Sequence, residues 1–283
     1  MTTETEAISD DALADVAYLS RSRNRITILE ALRSGPHPSG RLEERTQASR
    51  STLERILTEL EERGWAERSP DGYVTTPVGE RVIGEFRPVV TAMGSIRTLG
   101  EAVAWLPDEE LSIGLHHFDD ATVRRTTPNS PMAEATYLLE LMREASVFRT
   151  LTYIAPPLSL LQSMRDSVVE GRMTATNVLT DDLVGYLRER PEQTPYWREY
   201  VEAGARIYCY RGHIPCNVFV VDETVLIANN DPDSGHPCEF IETTDETVRS
   251  WGRELIETYR RNSERLTPET FTEESRMSAE HTS

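Results

Sequence analysis

The sequence predicts a helical α+β domain that ends in a β-hairpin, followed by a longer α/β domain built on a mostly parallel sheet. Three observations predict it. Apolar residues recur at helical spacing through the first hundred positions, a Pro70-Asp71-Gly72 turn separates two short extended segments, and from about Glu134 strands alternate with helices. At 283 residues the chain has room for two domains, each with its own core.

Met1 to Asp10 is polar and aperiodic, and disorder is expected there. Val16, Leu19, Ile26, Leu29 and Leu32 then read as one helix, stopped by Gly35 and Pro36. Ser39 can cap a short helix over 40–46 with Leu42 as its main contact, and Ser49 a longer one over 50–63. In the longer helix Leu53, Ile56, Leu57 and Leu60 form one apolar stripe, and Gly64 ends it. The segments 65–68 and 73–76 flank the Asp-Gly turn as a hairpin. Thr76 caps and Pro77 opens a long helix to about Trp105, since proline costs nothing at a first helical position.

The second region reads as a helix over 134–145, a strand over 148–154, a helix over 158–170 and a strand over 173–179. Helices over 181–190 and 196–203, strands over 206–210, 218–221 and 225–228, and a closing helix over 251–260 complete it. Helices of this length between strands predict a largely parallel sheet covered on both faces, with the last strands antiparallel. The expected boundaries are a disordered start (1–10), a first domain (11–76), a linking and dimerising helix (77–107), an α/β domain (108–266) and a disordered acidic tail (267–283).

All 30 basic side chains are arginine, lysine is absent, and 48 acids bring the net charge to −18. Dense surface carboxylates without lysine are the mark of a high-salt interior and a GC-rich genome, so a halophilic archaeon is the expected source. No apolar run approaches the ~20 residues that span a bilayer, and residues 1–11 lack a signal-peptide pattern. Three cysteines argue against a disulfide framework and for a reducing, cytoplasmic setting.

Helix, short helix, longer helix, hairpin and helix is the order of a winged helix-turn-helix, whose third helix enters the DNA major groove. The stretch 48–65 (ASRSTLERILTELEERGW) resembles the recognition helix of archaeal ArsR-like and MarR-like regulators, and Thr76-Pro77-Val78-Gly79 resembles their exit from the wing. A recognition helix faces DNA with short polar and arginine side chains, because arginine grips guanine bidentately and hydroxyls reach phosphate. Arg50, Ser51, Thr52 and Arg55 fit that role, with Arg68 and Tyr73 as wing contacts. The alternative is an exposed charged face in which Arg50 and Arg55 answer Glu54 and Glu59. Ten arginines face nine acids between Ser20 and Thr76, a net of +1, which leaves −19 on the rest of the chain. Apolar positions Val78, Val82, Phe86, Val89, Val90, Met93 and Ile96 on the long helix point to a homodimer reading paired half-sites on double-stranded DNA.

The whole layout resembles an archaeal regulator family with a winged helix and a middle domain first described in a methanogenesis regulator. Its effector domains, like the sugar-binding part of TrmB regulators, are similar in fold to half of a phospholipase D. That resemblance implies a DNA-binding transcriptional regulator with a small-molecule effector and no cofactor. A phospholipase D site needs a nucleophilic His and a Lys two residues on. Here Pro215 and Asn217 stand at those positions and only Asp222 remains, so catalysis is not expected, although a phospholipase D-like enzyme carried by a DNA-targeting module is the alternative from another class. Asp222 and Glu223 also read as a simple hairpin turn. Cys209, His213, Cys216, His236 and Cys238 could hold zinc or copper, or sense redox state, but their spacing matches no finger pattern, and burial of the thiols as small hydrophobes is the competing reading. His116, His117, Asp119 and Asp120 read as a solvated loop. A third reading makes the winged segment a protein-interaction module.

Overall fold

The structure, a computed structural model, describes residues 9–125, 133–230 and 237–272. It divides into two compact units, Met1–Val90 and Thr91–Ser283.

In the first unit the single helix expected over 16–32 is two, α1 (Asp10–Ser20) and α2 (Arg23–Leu32). The break falls at Ser22, whose backbone is extended. Arg25 accounts for it. Buried at 9 % exposure, it donates from Nη1 to the Tyr18 carbonyl at 2.8 Å, and so satisfies one of the carbonyls that the end of α1 leaves without a helical partner. Helix α3 (Ser39–Thr46) starts one residue early, with Pro38 rather than Ser39 in the flanking position. Helix α4 (Arg50–Glu62) is capped as expected, the Ser49 hydroxyl accepting from the Thr52 N–H at 3.3 Å. Its stripe Leu53, Ile56, Leu57 and Leu60 is fully buried against Ile28, Leu29, Leu32 and Leu42.

Strands β1 (Ala66–Ser69) and β2 (Gly72–Thr75) form the hairpin, and His37 adds a third short strand by exchanging two backbone hydrogen bonds with Tyr73. That approach requires Gly72: its φ is +131°, and a Cβ there would stand 2.3 Å from the His37 carbonyl oxygen. Helix α5 (Pro77–Leu99) follows, with Gly79 packed so tightly that a Cβ would meet the Trp65 carbonyl oxygen at 2.0 Å. Ile83 and Phe86 of α5 bury in this unit's core, and Val82 packs against it.

The second unit opens with two 3-10 turns, Gly100–Trp105 and Leu115–Phe118, and continues as β3 (Thr122–Arg125), α6 (Ala133–Glu144), β4 (Val147–Thr152), α7 (Leu158–Val169) and β5 (Thr174–Thr180). Then come α8 (Asp181–Arg188), α9 (Thr194–Glu202), β6 (Arg206–Tyr210), β7 (Asn217–Val221), β8 (Thr224–Asn230), β9 (Pro237–Thr243), α10 (Glu246–Arg261), β10 (Glu264–Arg265) and a 3-10 turn, Pro268–Phe271. Among the described residues the strands form one sheet in the order β10-β6-β5-β4-β7-β8-β9-β3.

The sheet corrects the expectation of mostly parallel pairing. Only β4–β5 and β5–β6 are parallel, and every other pairing is antiparallel. Parallel neighbours need a crossover long enough for a helix, and after β6 the connections shrink: β7 and β8 are joined by Asp222 and Glu223 alone. The sequence reading missed β3, β9 and the two-residue β10; in the first two the alternation is broken by Arg124, Glu239 and Glu242. One face of the sheet carries a core with α6, α7, α8 and α9 (Phe148, Leu161, Val184, Trp197, Phe240), the other a core with α10 (Val178, Val218, Ile241, Trp251).

The tail is corrected as well. The chain from Thr267 to Thr272 is ordered, and Phe271 is buried in the first of these cores, stacked on Trp197 with ring centroids 5.9 Å apart. Residues 1–8 and 273–283 lie outside the described residues.

Candidate nucleic-acid interface and effector cavity

Helix α4 projects its polar face away from the buried stripe. Arg50, at 82 % side-chain exposure, donates to Glu54 at 3.0 Å, and the exposed Arg55 donates to Glu59 at the same distance. The Glu54 contact raises the Arg50 guanidinium pKa above its ordinary value. Both arginines thus have an acidic neighbour one turn along, the arrangement that an exposed charged face would also have. Ser51 and Thr52 sit at the helix start, and their hydroxyls share hydrogen bonds with the Ser49 hydroxyl at 3.2 and 2.8 Å. On the hairpin Arg68 and Tyr73 are register partners. The Arg68 guanidinium lies 5.3 Å over the Tyr73 ring and 3.4 Å from Glu61.

Two arginines that the sequence reading passed over stand out. Arg41 and Arg45, one turn apart on α3, are exposed and have no ion pair among the described residues. Their spacing of four was the available signal, since it puts both on one helix face. The opposite fate meets Arg25 and Arg63, whose guanidinium groups lie 4.0 and 3.9 Å from the Tyr18 ring centroid. Arg25 also reaches Glu59 at 3.0 Å, so this carboxylate anchors a scaffold arginine and Arg55 together. Burial and the Glu59 charge push the Tyr18 hydroxyl up to about 12.

Of the seven apolar positions proposed as a dimer face, Val82 and Phe86 belong to the first unit's own core. Val78, Val89, Val90, Met93 and Ile96 are exposed.

The second unit contains a cavity of about 1060 Å³ at the carboxyl ends of the parallel strands. Thr152 at the end of β4 and Thr180 at the end of β5 line it, Phe219 and Phe240 form one wall, and Trp197 closes another. Ligands in α/β sheets bind outside the carboxyl ends of the strands. Here the site adjoins β4, where the pairing changes from parallel to antiparallel.

The cysteine and histidine candidates are not brought together. Cys209 on β6 packs with the α6–α9 core, whereas Cys216 belongs to the α10 core across the sheet. Burial raises the Cys209 thiol pKa and pushes that of Cys216 up to about 12. His213 is exposed at the cavity, His236 lies outside the described residues, and Cys238 is placed only as a backbone position in β9. Among the described residues no group of three metal-ligating side chains forms.

The positions compared with a phospholipase D have structural work instead. Asn217 is fully buried, accepting from the Thr152 hydroxyl at 2.8 Å and the Tyr153 N–H at 3.0 Å. Asp222 takes the left-handed turn position with φ 49°, and its carboxylate accepts from the Ser146 and Val147 N–H groups that begin β4. His117 lies 3.7 Å from Asp245, and Asp120 accepts from Thr243 and Thr244, so that cluster ties the start of α10 to its neighbours.

No curated protein matches the chain. Among solved structures, TrmBL2, an archaeal chromatin protein described as showing a novel mode of DNA binding, aligns over 91 % of this chain and 100 % of its own at 15 % identity and a TM-score of 0.41. Nuc from Salmonella typhimurium, a phospholipase D family member, aligns over 52 % and 97 % at 11 % identity and a TM-score of 0.41. Likenesses this distant carry no argument about function. Two family models are more direct: the HVO_A0261 N-terminal domain matches residues 13–98, and the middle domain of the methanogenesis regulatory protein FilR1 matches residues 131–262. The chain therefore belongs to the archaeal transcription regulators that join these two domains.

Proposed function

We propose that the protein is a DNA-binding transcriptional regulator whose first unit is a winged helix-turn-helix and whose second unit senses an effector. The observation that carries this is the set of exposed arginines on three successive elements, Arg41 and Arg45 on α3, Arg50 and Arg55 on α4 and Arg68 on the hairpin. In this reading α4 enters the major groove, Arg50 and Arg55 exchange Glu54 and Glu59 for base edges, Ser51 and Thr52 help to position the helix, and Arg68 and Tyr73 meet the backbone. Arg41 and Arg45 add phosphate contacts ahead of the groove.

Val78, Val89, Val90, Met93 and Ile96 form the contact with a second copy, so that two recognition helices read paired half-sites. Effector binding in the cavity biases that pairing, which makes the response a coupling between two sites. The domain boundary that serves this design is a first domain over 11–76, the helix of 77–107 as linker, and an effector domain from 108 onwards. The protein acts without catalysis, in the cytoplasm of a halophilic archaeon.

Sequencing the genomic DNA co-precipitated with the intact protein tests the reading. A shared palindromic motif is expected among the enriched sites, and no enrichment over input DNA would overturn it. In a binding assay on an enriched site, Arg50→Ala loses roughly tenfold in affinity. Glu54→Gln, which frees Arg50 from its intrahelical partner, binds more tightly than the native protein.

A further inference from the structure

The cavity in the second unit says something about what fills it. Much of its buried lining is apolar, with Leu138, Phe148, Leu160, Phe219 and Phe240 among the contributors. Several of its polar groups are already engaged: the Thr150 hydroxyl donates to the Val218 carbonyl, that of Thr152 to Asn217, and that of Thr180 caps α8. Two buried atoms differ. Gln193 Oε1 and Trp197 Nε1 have no hydrogen-bond partner among the described residues, although their residues are only 7 % and 1 % exposed.

Such atoms are costly, since a buried polar group without a partner has given up its hydrogen bonds to water and gained none in return. They are also complementary: the glutamine oxygen only accepts and the indole N–H only donates. Gln193 is the flanking residue at the start of α9 and Trp197 lies four positions on, so the two side chains are neighbours one turn apart. The acidic and basic groups among the lining residues are Asp181, Asp182, the half-buried Arg190 and His213. Asp181, Asp182 and His213 are exposed, and Arg190 pairs with Glu192 and lies 4.2 Å over the Tyr186 ring.

We infer that the cavity takes an uncharged, largely apolar molecule bearing a carboxamide or lactam. Its N–H donates to Gln193 Oε1, its carbonyl accepts from Trp197 Nε1, and its apolar body lies against Phe219 and Phe240. This deepens the effector reading and rests on it. The volume of about 1060 Å³ accommodates a bicyclic or larger body. An anionic ligand is disfavoured at this pair, because the arginine that lines the cavity, Arg190, already has Glu192 as its partner, and a buried carboxylate without a cation of its own is costly.

Calorimetric titration of the full chain with 2-naphthamide, N,N-dimethyl-2-naphthamide and 2-naphthoate separates the possibilities. The primary amide is expected to bind, the dimethyl amide about tenfold more weakly and the carboxylate about a hundredfold more weakly. Trp197→Phe, which keeps the ring and deletes the donor, and Gln193→Met each lower 2-naphthamide affinity about tenfold. Circular dichroism establishes that both variants are folded, and where one is not, the other together with the three-probe ranking decides. No binding of the amide, equal binding of the carboxylate, or indifference to both substitutions would overturn the assignment. Amide binding that leaves the affinity for an enriched DNA site unchanged would instead retain the assignment and remove the sensing role.

Discussion

Arg25 and Arg50 are the same residue type in the same unit, yet one builds the scaffold and the other is available to a partner. Arg25 is buried, closes the end of α1 and pairs with Glu59, while Arg50 is mostly solvent. Removing Arg25 strands the Tyr18 carbonyl and vacates its place over the Tyr18 ring, so Arg25→Ala should cost about 3 kcal/mol in urea unfolding. The sequence distinguished these arginines poorly because it shows charge and not burial. Only the periodicity of α2, in which position 25 falls near Ile28, Leu29 and Leu32, could have placed Arg25 inside. The thiols teach the same lesson. Cys216, pushed up to about 12 by burial, remains protonated in the native protein, and peptide mapping after iodoacetamide at pH 8 should find it unmodified until denaturant is added. Because its folded value is raised, its contribution to stability is fully present below the ordinary thiol value of 9.0 and is lost as pH climbs toward 12.

At the scale of elements, legibility tracked the strength of the periodic signal. Helix α4 and the hairpin follow the expected pattern because one apolar stripe and one Asp-Gly turn leave little choice of register. Strands β3 and β9 escaped because cross-strand pairs such as Arg124 with Glu242 replace apolar alternation with charge. The sheet looked mostly parallel because helices separate β4, β5 and β6, a pattern that ends at β7. In the candidate site, the arginines of α4 could be named from type and position, whereas Gln193 and Trp197 acquire meaning only when α9 is packed under the cavity. Helix α5 gives the element-scale prediction. Met93→Glu with Ile96→Glu places two charges on the exposed apolar face without touching Ile83 or Phe86. Sedimentation should show loss of the dimer with the thermal transition of the first unit retained, and a variant that sediments like the native protein would refute the dimer face.

Across the whole molecule, a net charge of −18 coexists with a first unit whose segment from Ser20 to Thr76 carries +1. Long-range repulsion from DNA should then fade once molar salt shortens the screening length to ~3 Å. Affinity for an enriched site is expected to hold or rise between about 0.2 M and about 2 M KCl, opposite to the steep loss typical of basic DNA-binding proteins. A steep decline over that range would contradict it. The buried Phe271 has a further consequence, one of timing during synthesis. Residues up to about 90 can collapse as soon as they leave the ribosome, but Trp197 lacks its stacking partner and β6 its β10 neighbour until the nascent chain has been extended past position 271. At ~5–20 residues per second that interval lasts roughly 10–35 seconds. The first unit therefore meets the cell well before the second is closed, and under the proposed function a nascent regulator engages its chromosome before it can respond to any signal.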